Sequence, residues 1–169
     1  MLRDNGVTVI EADRVGHAVL GPSGPAFGAV AERWPDVVHD GEIDRRALGR
    51  QVFADPAELA ALEAITHPHI RARVGELIEA ASGVVAVEVP IPVRWLDATW
   101  PRVVVDVPDD TRTERLVGRG MAPDEIHQRM AAQPTRDEWL ALADHVVDNS
   151  DDVGALQSQI DALLETLTA

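Results

Sequence analysis

The stretch Gly83-Val84-Val85-Ala86-Val87-Glu88-Val89-Pro90 decides the fold class. A glycine opens it and a proline closes it. Between them runs a mostly β-branched apolar segment, the pattern of a strand buried on both faces of a parallel sheet. A second run of the same kind is Arg102-Val103-Val104-Val105-Asp106-Val107, ended by Pro108. A third, His145-Val146-Val147-Asp148, passes into Asn149-Ser150. The earliest, Val7-Thr8-Val9-Ile10, comes after Gly6, which sits where a helix C-terminal cap would sit. Only one turn of residues precedes Gly6, and a single turn is not stable by itself.

The segments between these runs have helical patterning. From Arg14 to about Ser82 the chain reads as largely helical, interrupted early by Pro22, Pro25 and Pro35. Gly41-Glu42-Ile43-Asp44 reads as a turn, with Asp44 the N-cap of a helix from Arg45 to Phe53. Asp55 caps the next helix, with Pro56 at its first position and Glu58 at capping-box spacing. Asp109 or Asp110 caps a helix that reaches about Arg119. Met121 to Gln133 and Asp137 to Ala141 form a further helical pair around Pro134. A closing amphipathic helix carries Leu156, Ile160, Leu163, Leu164 and Leu167. Strands alternating with helices give an α/β layer fold.

Composition narrows the function. The 169 residues are 46% apolar and 26% charged, a globular balance with room for a substantial core. A formal charge of −14 repels nucleic-acid phosphates, so no nucleic-acid partner is expected, while local arginine clusters still suit a small anion. Zero cysteines exclude disulfides and thiolate metal sites. No signal peptide or long apolar run is present, which gives the expectation of a cytoplasmic protein without membrane contact. All fifteen basic residues are arginine.

An ordered set of motifs then resembles one family. Val9-Ile10-Glu11-Ala12-Asp13-Arg14 is similar to the V-I-D-A-D segment of the dephospho-coenzyme A kinases. Gly41-Glu42-Ile43-Asp44-Arg45 through Leu48, then Val52-Phe53, resembles that family's G-x-[LI]-[DN]-R helix entry. Leu62-Glu63-Ala64-Ile65-Thr66-His67-Pro68-His69-Ile70-Arg71 looks like its L-E-x-I-x-H-P-x-I-R helix. Glu114-Arg115-Leu116 with Arg119, then Arg129 to Gln133, and Ala143-Asp144-His145-Val146-Val147-Asp148-Asn149 complete the match, which runs from Gly6 to roughly Gln159.

The resemblance implies a single domain over 1–169 with a P-loop-kinase-like parallel sheet flanked by helices. It also implies a mainly helical substrate region over 14–82 and a lid-like region over 112–141. It implies transfer of the γ-phosphoryl of ATP, with magnesium, to the ribose 3′-hydroxyl of dephospho-coenzyme A, the last step of coenzyme A synthesis. Asp13 then stands near the acceptor hydroxyl, where a carboxylate orients that group or accepts its proton. The alternative for Asp13 is a helix N-cap after a strand. His67 and Arg71, four apart on one helix face, fall in the substrate region, with Arg71 near coenzyme A phosphates. For His67 the alternative is a pairing at a helix N-terminus. His67 and His69 do not complete a metal ligand set, and no metal site is expected from protein ligands alone. Arg115, Arg119 and Arg129 map onto the region that closes over the triphosphate, a task for which the guanidinium fork is suited. Asn149 maps onto the loop near adenine, or is simply the turn after a buried strand.

Departures from the family pattern limit the implied activity. The family places a Gly-rich loop ending in Lys-Ser/Thr ahead of the V-I-D-A-D segment, after its first strand. This sequence has neither that strand nor that loop, so backbone nest, lysine and magnesium-binding hydroxyl are all missing. ATP and magnesium are therefore not expected to be held well by this chain. In the family the first strand lies between the strands represented by Val84–Val89 and Arg102–Val107, so its loss leaves two apolar edges open. Glu11 replaces an aspartate, and Ile91-Pro92-Val93-Arg94 replaces a segment that ends in glutamate in the family. Three readings remain open: an N-terminally truncated kinase, inactive as the isolated chain; a degenerate homologue serving as a coenzyme A or nucleotide binding module; or a homo-oligomer in which another copy covers the open sheet gap.

Overall fold

The computed structural model describes residues 1–90, 96, 99–131 and 133–168. The reading of Ile91, Pro92, Val93 and Arg94 lies outside the described residues. The chain divides into two compact units, Gly6–Pro92 and Met1–Asn5 with Val93–Ala169.

In the first unit, β1 (Thr8–Glu11) pairs in parallel with β4 (Val85–Glu88), setting Thr8 beside Val85 and Glu11 beside Glu88. Gly6 precedes β1 with φ of +76°, the left-handed value that glycine adopts without a Cβ penalty. Helix α1 (Ala12–Val19) buries Ala12, Val15 and Val19, a three-then-four spacing that makes one apolar face. It packs on α4 (Pro56–Ala80), and a Cβ added at Gly16 would sit 3.5 Å from the Ile70 side chain. Helix α2 (Phe27–Arg33) and α3 (Arg45–Ala54) pack on α4 as well. Val30, Val37, Val52 and Val74 are the largest fully buried side chains, and all lie in this unit.

The links in this unit differ in part from sequence expectation. Gly41–Asp44 is not a lone turn: Val38–His39 (β2) and Glu42–Ile43 (β3) form an antiparallel hairpin around Asp40-Gly41. Both turn residues have positive φ, 51° and 79°, as a two-residue type I′ turn requires. Asp44 caps α3 as its sequence predicts, accepting from the Arg46 and Ala47 amides at 2.9 and 3.0 Å. Those amides hold its carboxyl below the usual range. Asp55 caps α4 through the Ala57 amide at 2.8 Å. Glu58 does not close a capping box. Its carboxylate instead accepts from Arg33 Nη2 and from Trp34 Nε1, each at 2.8 Å.

The turn after α1 is tight at Gly24, where an added Cβ would lie 2.5 Å from the Ala18 carbonyl oxygen and closer still to that of Val19. Both are backbone atoms, so they cannot rotate away. Gly24→Ala is therefore expected to destabilise the protein by about 2 kcal/mol, the overpacking range. Chemical denaturation reads this directly; an unchanged midpoint would refute the close approach.

In the second unit, β5 (Val103–Asp106) pairs in parallel with β6 (His145–Asp148), setting Asp106 beside Asp148. Among the described residues β5 has no other strand neighbour, and β4 has none besides β1. Helix α8 (Val153–Thr168) covers β6, and Gln159 closes that strand's end: its side chain accepts from the Asp148 amide at 2.8 Å and donates to the Asp148 carbonyl at 2.9 Å. Helix α5 (Asp109–Gly118) starts from Pro108 as N-cap, with no side-chain cap. Asp109 and Asp110 thus lie in its first turn, where they favour the helix dipole rather than bonding the free amides. Helix α6 (Pro123–Ala131) packs on α5, and α7 (Arg136–Ala141) opens with a complete capping box between Thr135 and Glu138. The architecture is α/β, with parallel strand pairs flanked by helices.

Candidate functional site

Ligands of open α/β sheets bind beyond the carboxyl ends of the strands. In the Gly6–Pro92 unit that end carries Glu11, Glu88 and, one residue into α1, Asp13. Strand β1 hands over to the helix at Glu11, which is the N-cap of α1 but makes no side-chain cap bond. Asp13 lies in the first helical turn, so the alternative reading of Asp13 as N-cap does not hold. Its carboxylate is 64% exposed and stands 3.4 Å from His17 Nε2 one turn on. Glu11 Oε2 lies 3.9 Å from Arg14 Nε. Parallel registry puts Glu11 and Glu88 side by side, an adjacency of like charges that costs stability unless something positive sits between or beside them.

His67 and Arg71 both sit on α4, which packs against α1. His67 is the twelfth of the 25 helix residues, so it cannot serve as a pairing at the helix N-terminus. Pro68 comes next inside the helix and has no N–H to donate to the preceding turn. Nearby, the buried Thr66 hydroxyl donates to the Leu62 carbonyl at 2.8 Å. His67 is half-buried and Arg71 exposed. The structure thus brings Asp13, His67 and Arg71 onto two helices in mutual contact within one unit.

Arg119, Arg129 and Asn149 belong to the other unit. Arg119 is the exposed C-cap of α5: its amide donates to the Leu116 carbonyl, and the next amide, that of Gly120, donates to the Val117 carbonyl. Arg129 on α6 donates to Glu125 at 2.8 Å, a solvent-facing pair one helical turn apart. Arg115 lies on α5, half-buried. Asn149 comes directly after β6, and its amide donates to the Asp106 carbonyl at 2.8 Å. Asp148 turns its carboxylate back to Ser150, whose hydroxyl and amide hold the carboxyl below the usual range.

The residue that sequence reasoning passed over is Asp106. It ends β5, is only 8% exposed, and accepts from Arg136 Nε at 2.9 Å and Nη2 at 2.5 Å. The Arg136 fork is the main reason its carboxyl titrates below the ordinary value. The signal available in the sequence was an aspartate closing an otherwise apolar strand run, which needs a cationic partner.

This geometry has known counterparts. The family model described as dephospho-CoA kinase matches residues 1–154. A dephospho-CoA kinase of Methylococcus capsulatus is 40% identical over 172 residues, covering 96% of this chain and 85% of that protein. One of Symbiobacterium thermophilum is 38% identical over 174 residues, covering 96% and 72%. The crystal structure of TT1252 from Thermus thermophilus is 28% identical, covers 99% of this chain and 88% of that one, and superposes with a TM-score of 0.85. A Campylobacter jejuni dephospho-CoA kinase, 21% identical with a TM-score of 0.69 over 98% of this chain and 87% of that one, shares the fold. With a family model spanning most of its length and relatives this similar, the chain belongs to the dephospho-CoA kinase family.

Proposed function

We propose that the chain carries the acceptor side of phosphoryl transfer from magnesium ATP to the ribose 3′-hydroxyl of dephospho-coenzyme A. The observation that carries this reading is the place of Asp13: an exposed carboxylate in the first turn of α1, just past the carboxyl end of a parallel strand. A carboxylate there can align the acceptor hydroxyl and take its proton as the P–O bond forms. Arg71, with His67 on the same face of α4, meets the phosphates of the coenzyme A precursor. Arg119 and Arg129 meet the triphosphate, and Asn149 lies against the adenine. The 14–82 and 112–141 stretches act as substrate region and lid. A cytoplasmic location belongs to this reading; no helix among the described residues is long and apolar enough to cross a membrane.

A second reading, a binding module without turnover, draws on the lack of any lysine and on Glu11 in the place of an aspartate. Both readings need dephospho-coenzyme A to bind. Titration calorimetry is expected to show saturable binding that Arg71→Ala weakens about tenfold, the loss of one charge-assisted phosphate contact. Equal affinity in Arg71→Ala would remove Arg71 from the site; no binding by the parent chain would sink both readings.

A further inference from the structure

We infer that Asp106 and Arg136 form a positioning pair, which holds α7 and the Asn149 turn against the carboxyl end of β5 as one body. Its meaning for nucleotide binding rests on the proposed kinase reading, but its geometry does not. Asp106 is one of two buried polar or charged side chains found among the described residues, and it serves two neighbours at once. Its carboxylate takes the Arg136 fork at the first residue of α7, while its carbonyl takes the Asn149 amide. The fork fixes orientation as well as distance, because Nε and Nη2 lie in one plane with the acceptor oxygens. Arg136 remains 40% exposed, so a guanidinium aimed at the carboxyl end of the sheet also faces solvent there. The charged groups around the pair are Arg112 and Asp109 on α5, Asp137 on α7 and Asp148 on β6.

Two ligand-free measurements test the pair, so they fail or succeed apart from the kinase reading. The chain has no lysine, and trypsin therefore cuts only after arginine. In the parent chain, cleavage after the exposed Arg119 and Arg129 is expected to precede cleavage after Arg136. Asp106→Asn, and Arg136→Lys with its single-point ammonium, are each expected to speed cleavage after residue 136 about tenfold, in proportion to the population of the opened segment. Amide exchange at Asn149 should rise with it, while α3 and α4 stay protected. Acidification provides the second readout. Asp106 titrates below its unfolded value, so its contribution is present above that value and lost as pH falls through the folded one. Read by amide exchange, since trypsin is inactive at such pH, the parent chain should then reproduce the Asp106→Asn rise in exchange at Asn149 at low pH, and Asp106→Asn should lack that step. Unchanged cleavage after residue 136, or acceleration spread evenly over both units, would overturn the positioning role.

Discussion

Mixed with magnesium, ATP and dephospho-coenzyme A, the 169-residue chain is expected to form product at least about a thousandfold more slowly than a fusion carrying a P-loop strand, Gly-rich loop and helix ahead of Met1. Phosphoryl transfer leaves a protein little covalent chemistry to do: catalysis is the holding of donor and acceptor in line and the neutralisation of charge on the transferring group. A cradle of backbone amides with one lysine supplies both at the β and γ phosphates, and these 169 residues contain no lysine. Arg119 and Arg129, which the proposed reading assigns to the triphosphate, are both exposed, and Arg129 already pairs with Glu125. In the fusion, Asp13→Asn is expected to lower kcat about a hundredfold, the lower range for a positioned general base, with the affinity for dephospho-coenzyme A unchanged. Comparable turnover by the unfused chain would show that some other group grips the triphosphate, and the proposed division of labour would fall.

Strands were legible wherever the apolar run was continuous. His145–Asp148 is a strand as its pattern predicts, and the runs at Val84–Val89 and Arg102–Val107 contain β4 and β5 with a residue or two trimmed at the ends. Caps were legible where one side chain decides them, as at Asp44 and Asp55. Reading failed where a residue had two physical options. Glu58 stands at capping-box spacing, but the Trp34 indole and the Arg33 guanidinium compete for its carboxylate and win. Asp109 and Asp110 look like caps, but the chain turns at Pro108 and begins the helix one residue earlier than an aspartate cap would allow. The β2–β3 hairpin was missed although Asp40-Gly41 between Val38 and Ile43 is its signal, because strands of two residues give no periodicity to count. Asp13, His67 and Arg71, the proposed acceptor-side residues, were named from motif resemblance alone. What no local pattern could show was that Asp106 and Arg136, thirty residues apart, share one set of hydrogen bonds.

Trp34→Ala is expected to cost about 3–5 kcal/mol, the range for deleting a buried aromatic side chain. Trp34 is 6% exposed, next to Val30 and Val37, which are fully or almost fully buried. Its ring also carries polar work. Nε1 donates to Glu58, the same carboxylate takes Arg33, and the Arg33 guanidinium lies 5.3 Å from the ring centroid. Since Glu58 is in the first turn of α4, this cluster ties the end of α2 to the helix that carries His67 and Arg71. Removing the ring opens a cavity and leaves one carboxylate oxygen without its indole donor. Trp34→Phe separates the two losses: it keeps most of the apolar area and should cost about 1 kcal/mol for the missing hydrogen bond. At roughly 2–4 °C per kcal/mol for a chain of this size, Trp34→Ala should lower Tm by about 10 °C and Trp34→Phe by about 3 °C. A Tm for Trp34→Ala within about 3 °C of the parent would mean that the ring is not a keystone of this unit. Glu58→Gln separates charge from packing, because the amide can still accept from the indole but no longer carries the charge that draws in Arg33. If Glu58→Gln falls as far as Trp34→Ala, the ion pair rather than the buried ring holds α2 to α4, and the packing account is wrong.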